Sequence, residues 1–206
     1  MGRAAAQEKK GDFPMAKVIF SNLVSLDGYC AGPGGELGRL PMGPAFDEHN
    51  VQLMRAAGTL LFGRVTFGMF QAFWPQVQKD PSAVPVLAEI AALTAAMGKL
   101  VVSDTLRLDA DAPWGDAQVV RRAQAHARIR QLKASAPRDL LAYGSHVLMN
   151  DLLAHGLVDE VRLLVGNVVL GDGVRTFESA LRAPLALMEA RRLAGSDIMV
   201  LRYACA

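Results

Sequence analysis

The feature that most constrains this chain is a change of hydrophobic period that repeats along it. Short apolar runs alternate with segments whose apolar positions recur at helical spacing. The runs are KVIFSNL (Lys17–Leu23), Leu60–Gly63, KLVVSDTL (Lys99–Leu106), Gln118–Val120, Asp139–Tyr143 and a longer one within Leu157–Gly171. Between them lie amphipathic segments. Ala45–Ala57 carries Phe46, Val51 and Met54, and Val65–Phe73 carries Phe67 and Phe70. Val86–Met97 follows a proline-punctuated connection, Pro75–Pro85, and Arg121–Lys133 carries Ala125, Ile129 and Leu132. A last segment, opened by Gly144-Ser145, places Leu148, Met149, Leu152 and Leu153 on one face. Apolar runs flanked by helices are the unit of a largely parallel α/β sheet covered on both faces. The tail LALMEARRLAGSDIMVLRYA differs, reading as two strands joined at Gly195-Ser196, an antiparallel edge hairpin. The expectation is a mixed, mostly parallel sheet of about eight strands with four or five helices.

Composition narrows the function classes. The 206 residues, 51% hydrophobic and 20% charged with a net charge of +2, suit one globular domain. We take residues 1–14 as a disordered leader and 15–206 as a single domain. The charge is too balanced for a nucleic-acid surface, and the basic run RRAQAHARIRQLK reads as the solvated face of a surface helix. Cys30 and Cys205 are too few for a disulfide framework or a cysteine-based zinc site, which suggests a reducing cytoplasm. No apolar run reaches transmembrane length, and no membrane partner is expected. His49, His126, His146 and His155 share no metal-ligand spacing, so no metal is expected, and they read mostly as surface residues. Trp74 and Trp114 read as packing residues.

In open α/β sheets, ligands gather beyond the carboxyl ends of the strands. Three exits here share one signature: Gly63-Arg64-Val65-Thr66, Ser103-Asp104-Thr105 and Gly144-Ser145-His146. A glycine admits close backbone approach, a following helix offers unpaired N–H groups, and Arg or hydroxyl side chains add donors for a phosphate. One such turn is common for geometric reasons alone; three together point to a dinucleotide. There is no G-x-G-x-x-G or Walker loop. The loop SLDGYCAGPGGELGRLPMG after the first strand is long and glycine-rich, a candidate lid.

At these residues the chain resembles the dihydrofolate reductase-like superfamily, in the branch of the riboflavin-biosynthesis reductase, the C-terminal domain of the bifunctional deaminase-reductase. SLDGYCA resembles that branch's S-x-D-G element, LLFGRVTFGMF its strand–G-R-x-T–helix segment, and KLVVSDTL its V-V-S-x-T-L strand. YGSHVLMNDLLAHGLVDEVRLLVGNVVLGDGVRTF resembles its most specific run, and the likeness extends from about Lys17 to Tyr203. The resemblance implies a three-layer α/β/α fold and an NADPH-dependent reductase, usually dimeric. Gly63, Arg64 and Thr66 would hold cofactor phosphates, and Ser103 would lie near the adenosine ribose or its 2′-phosphate. Gly144, Ser145, His146 and Val147 would take the pyrophosphate. The Leu23–Gly28 region, with Asp27 and Gly28, would border nicotinamide and substrate.

Three departures bear on this. Asp104 follows Ser103 where relatives carry a basic or hydroxyl residue, leaving NADH possible beside NADPH. Tyr143 replaces the first glycine of a Gly-Gly pair, and Asn167 replaces a proline. For a proton source, Asp47 is the candidate, sixteen residues before Gly63 on the preceding helix; its alternative role is to support that helix's N-terminus. Asp27-Gly28 also reads as a plain turn dipeptide, and Asp159-Glu160 as structural. No H-x-E…P-C-x-x-C zinc signature is present, so the reading is of a stand-alone reductase, with 5-amino-6-(5-phosphoribosylamino)uracil as the substrate implied by resemblance. Two rivals stand beside it: a dihydrofolate reductase, and a non-catalytic nucleotide-binding dimer. The strand near Val161–Val165 and the terminal hairpin are the expected interface elements of a homodimer.

Overall fold

The apolar runs become strands because their side chains find a core on both faces. The computed structural model describes residues 15–205, and the expected leader at 1–14 lies outside the described residues. Eight strands form one sheet in the order β5-β4-β3-β6-β1-β7-β10-β9. They are β1 (Val18–Val24), β3 (Ala57–Gly63), β4 (Gly98–Val102), β5 (Gln118–Val120), β6 (Asp139–Tyr143), β7 (Glu160–Val165), β9 (Leu185–Arg192) and β10 (Met199–Cys205). The pairings from β5 across to β7 are all parallel. β10 runs antiparallel to both β7 and β9, which makes the sheet mixed as expected.

Alternation along the strands divides the core. Val18 and Phe20 of β1 share one apolar cluster with Leu140, Ala142 and Val161, covered by Ala125 and Ile129 of α4 (Arg122–Ser135) and Leu148, Met149 and Leu152 of α5 (His146–Ala154). Ile19 lies in the opposite cluster with Leu60, Phe62, Leu141 and Tyr143. That face is covered by α1 (Pro44–Ala56), α2 (Arg64–Lys79) and α3 (Pro85–Ala96). The result is a three-layer α/β/α arrangement. Phe62 meets Phe67 edge-on at 5.8 Å and Phe70 at 5.2 Å, pinning the start of α2 to the strand it leaves. Each such aromatic pair adds about 0.5–1.5 kcal/mol beyond burial.

Three features depart from the sequence expectation. First, α2 does not stop near Phe73 but continues through Pro75 to Lys79. A proline inside a helix costs about 3 kcal/mol; here its ring is buried, and Phe70 and Trp74 beside it pack on the core, so tertiary burial overrides the local penalty. Second, the glycine-rich stretch after β1 is partly ordered. β2 (Tyr29–Ala31) pairs antiparallel with β8 (Val174–Arg175) in a second, two-stranded sheet, a long-range contact with no local signature. Third, β7 is hydrogen-bonded on both sides, by β1 and β10, so its edge is unavailable to a partner and the edge offered by the hairpin is β9.

Candidate functional site

Parallel strands bring their carboxyl ends to one side, and there β3, β4 and β6 release the chain at Gly63, Ser103 and Gly144. A cleft of about 780 Å³ opens over these exits. It is lined by Gly63, Arg64, Thr66, Ser103, Ser145, His146 and Val147, together with Asp104, Arg122, His126, Asp151 and the 178–181 segment. Seven of the eight residues expected to bind the cofactor therefore share one surface. Gly144 sits just behind it.

The first and third exits are hydrogen-bonded to each other. The Gly63 N–H donates to Ser145 Oγ at 3.0 Å, and the Ser145 N–H donates to Thr66 Oγ1 at 3.0 Å. Ser145 holds a left-handed backbone, φ 49°, directly after Gly144 at φ 54°. That conformation costs a non-glycine residue about 1–2 kcal/mol, which the two hydrogen bonds, at about 1 kcal/mol each, offset. A side chain at Gly144 would bring its Cβ to 3.1 Å from Thr66 Oγ1, so the glycine permits the approach of the two turns. Both hydroxyl oxygens accept from the backbone, which leaves each hydroxyl hydrogen free to be donated into the cleft. The helices α2 and α5 begin within this joint, and their first-turn N–H groups lack intrahelical acceptors.

At the second exit the buried Ser103 turns inward. Its Oγ accepts from the N–H groups of Thr105 at 3.2 Å and Leu106 at 3.0 Å, folding the chain back after β4. Asp104 is not a bare carboxylate. Its Oδ1 accepts from the Arg122 N–H, at the start of α4, at 3.0 Å, and its Oδ2 lies 3.7 Å from Arg122 Nε. The first turn of the basic helix thus borders the cleft, so that run is more than a solvated face. Opposite, Asn150 Nδ2 donates to the carbonyls of His146 at 2.7 Å and Thr176 at 2.9 Å, while its Oδ1 accepts from Glu178 N–H at 3.0 Å. This buried asparagine fixes the cleft wall to α5. Arg122 and Asn150 were absent from the sequence candidates: Arg122 was hidden in a charge run, and a lone Asn in a helix carries no motif.

The remaining candidates lie elsewhere. Asp27 Oδ1 accepts from Leu170 N–H at 3.0 Å and Oδ2 from Gly171 N–H at 2.7 Å. Its carboxyl is held down at about 2 by hydrogen bonds, first from the Ser25 side chain and then from those amides. Asp27 and Gly28, at φ 86°, fasten the loop after β1 to the loop after β7, and neither lines the cleft. Asp47 lies in the first turn of α1, half-buried and also outside the cleft; desolvation raises its carboxyl above the ordinary range. Because α1 feeds β3 directly, its first turn lies at the same end of the sheet as the cleft. On this helix face, buried His49 Nε2, Asn50 Oδ1 and, from β6, Tyr143 OH have no hydrogen-bond partner among the described residues. The burial of His49 departs from the surface role its sequence suggests. Its imidazole is held down at about 4 by desolvation and then by the nearby Arg191 and Arg162. Asp159 accepts from Val18 N–H at 2.8 Å and pairs with Lys133 Nζ at 2.7 Å, and Glu160 pairs with Arg162 and, at 2.9 Å, with Arg202. No helix among the described residues is long and apolar enough to cross a membrane.

Comparison with known proteins places this arrangement. The family described as the RibD C-terminal domain matches residues 16–199. The chain is similar to YyaP, an uncharacterised protein of Bacillus subtilis strain 168, with 28% identity over 162 residues covering 78% of this chain and 80% of that one. Among solved structures it resembles a diaminohydroxyphosphoribosylaminopyrimidine deaminase/5-amino-6-(5-phosphoribosylamino)uracil reductase from Thermotoga maritima. There the TM-score is 0.62 at 12% identity, over 93% of this chain and 57% of that one. It also resembles a dihydrofolate reductase from Enterococcus faecalis complexed with NADP(H), with a TM-score of 0.54 at 11% identity, over 92% and 96% of the two chains. At these identities the likeness is one of fold, the dihydrofolate reductase-like fold.

Proposed function

The chain belongs to the RibD C-terminal domain family, and on that premise we propose that it is an NADPH-dependent reductase of a pyrimidine- or pterin-like small molecule. The substrate class nearest to the family is 5-amino-6-(5-phosphoribosylamino)uracil. The observation that carries the reading is the hydrogen-bonded joint of Gly63, Thr66 and Ser145, which sets two helix N-termini and two hydroxyl donors on one cleft.

The residues present fit a dinucleotide. Glycine occupies both turns, and at Gly144 a side chain would crowd the opposing hydroxyl, with its Cβ 3.1 Å from Thr66 Oγ1. Gly63, Arg64 and Thr66 on one side and Gly144, Ser145, His146 and Val147 on the other would hold the phosphates. Arg64 is exposed in the cleft without an ion-pair partner among the described residues, and Arg122 lines the same cleft. Asp104 does not argue against a 2′-phosphate, because its charge is engaged by the α4 N-terminus and by Arg122. Ser103 would shape the turn beneath the adenosine rather than bind through its acceptor-occupied oxygen.

When bound, the cofactor supplies a hydride, and the protein's part is orientation, exclusion of water and a proton. Asp47 is the acid we assign. Desolvation favours its protonated form, and it lies at the strand-exit end on the side of α1, where buried polar atoms of His49, Asn50 and Tyr143 are unpartnered among the described residues. Asp27 serves the site indirectly by holding the two loops that flank it. We further assign a homodimer, supported by the free edge of β9 with Leu187 and Met188 exposed.

Calorimetric titration of the full chain with NADPH and NADH tests the reading. Saturable binding with a preference for NADPH is expected. Absence of binding at millimolar concentration of either would leave the non-catalytic alternative in its place.

A further inference from the structure

One cluster in the molecule is used by neither the fold nor the cofactor reading. His126 of α4, and Asp151 and His155 at the end of α5, bring one donor atom each within 4.8 Å of one another. His126 Nε2 lies 2.7 Å from Asp151 Oδ2, and the two imidazoles lie against each other with centroids 4.2 Å apart. We propose that His126, Asp151 and His155 form a binding site for a divalent transition-metal ion of the zinc class, at the rim of the cleft.

Asp151 lies in the last turns of α5 and His155 follows at its C-cap, at i,i+4 spacing, while His126 reaches them from α4. The site is therefore built on α4, α5 and the turn that ends α5. Tautomer chemistry also fits. His155 Nδ1 faces the Asp151 backbone carbonyl at 2.7 Å, and a carbonyl can only accept. That nitrogen therefore carries hydrogen, and the other keeps a lone pair in the neutral ring. Metal-bound histidines are held in this way, one nitrogen donating to a carbonyl and the other free to ligate.

Geometry and chemistry select the ion. Zinc binds nitrogen and oxygen at about 2.0–2.2 Å, so tetrahedral ligand atoms stand roughly 3.3 Å apart. The three donor atoms lie within 4.8 Å of one another, so they must draw together slightly, whereas the His126–Asp151 pair at 2.7 Å must open slightly. All three side chains are partly or well exposed and free to make that adjustment. For the cation to bind, His126 presents the Nε2 lone pair with its ring hydrogen on Nδ1 and Asp151 binds as the carboxylate; no electron is transferred. Two imidazoles and one carboxylate suit zinc, cobalt or nickel better than magnesium or calcium, which take oxygen ligands. Three protein ligands leave a fourth position for water. His126 and Asp151 line the cleft, which places the metal beside it.

The test uses the full chain after chelator treatment and dialysis, titrated with zinc chloride by calorimetry and with cobalt(II) by visible absorption. One equivalent of saturable zinc and a tetrahedral cobalt spectrum are expected. His126→Gln, Asp151→Asn and His155→Gln should each weaken zinc binding by at least about 10-fold, the loss typical of removing even an outer-shell partner. Far-UV circular dichroism of the same variants confirms that they fold. No saturable signal at millimolar zinc in the wild type would overturn the proposal. So would undiminished binding in folded His126→Gln/His155→Gln protein. Neither result bears on cofactor binding, which is measured separately.

Discussion

Replacing Thr66 with valine probes the joint between the two strand exits with almost no change of shape. The substitution removes Oγ1, the acceptor 3.0 Å from the Ser145 N–H. Leaving a buried donor unpaired costs about 1–3 kcal/mol, and because this group is only partly buried the lower range, about 1–2 kcal/mol, applies. For a chain of this size each kcal/mol shifts the melting temperature by about 2–4 °C, so a fall of roughly 2–8 °C is expected. The effect on binding should be larger than that on stability suggests. Ser145 is held at φ 49° against an intrinsic preference for other backbone regions, and the lost hydrogen bond is one of two that keep it there. Once it relaxes, Ser145 Oγ leaves the Gly63 N–H, and both phosphate-facing turns lose their register. NADPH affinity should drop about 10-fold, or about 1.4 kcal/mol. The assays are thermal unfolding followed by circular dichroism and a fluorescence titration with NADPH. Thr66→Ser, which keeps the hydroxyl, should stay close to wild type in both. If Thr66→Val melts within a degree of wild type and binds NADPH equally well, the joint is not what organises the cleft.

Two further outcomes follow from the same geometry. Arg64→Ala should weaken NADPH more than NADH in parallel titrations if Arg64 meets a 2′-phosphate; equal weakening would move its contact to the pyrophosphate, and no change would remove it from the site. Asp27→Asn should flatten the acid limb of stability. The folded carboxyl titrates at about 2 against 3.8 for the free group, so its contribution is complete above pH 3.8 and is lost as the pH falls toward 2. Melting temperatures between pH 2 and 5 read this directly, and a wild-type slope in the variant would show that the clamp on Leu170 and Gly171 carries no linkage.

What the sequence determined by itself was local. A continuous apolar run gives way to apolar positions at helical spacing at each strand exit, so DLLAY, the helix of Leu148, Met149, Leu152 and Leu153, and the terminal hairpin at Gly195 were all legible from neighbouring residues. The three exits were legible too, because glycine, hydroxyl and helix start lie within a few positions of each other. What only the tertiary structure decided was which distant groups meet. Thr66 and Ser145 are 79 positions apart, and nothing in either segment announces that each turn is completed by the other. Asp104 reads as a repulsive charge until α4 is laid beside it and Arg122 engages it. Pro75 reads as a stop until the aromatic core shows how much burial lies on the far side of it. His126 and His155 show no shared spacing, yet the fold brings their rings to a centroid distance of 4.2 Å. Periodicity is a property of consecutive residues, whereas charge compensation, ligand sets and shared hydrogen bonds depend on sheet order, which pairs β3 with β6, strands distant in the chain.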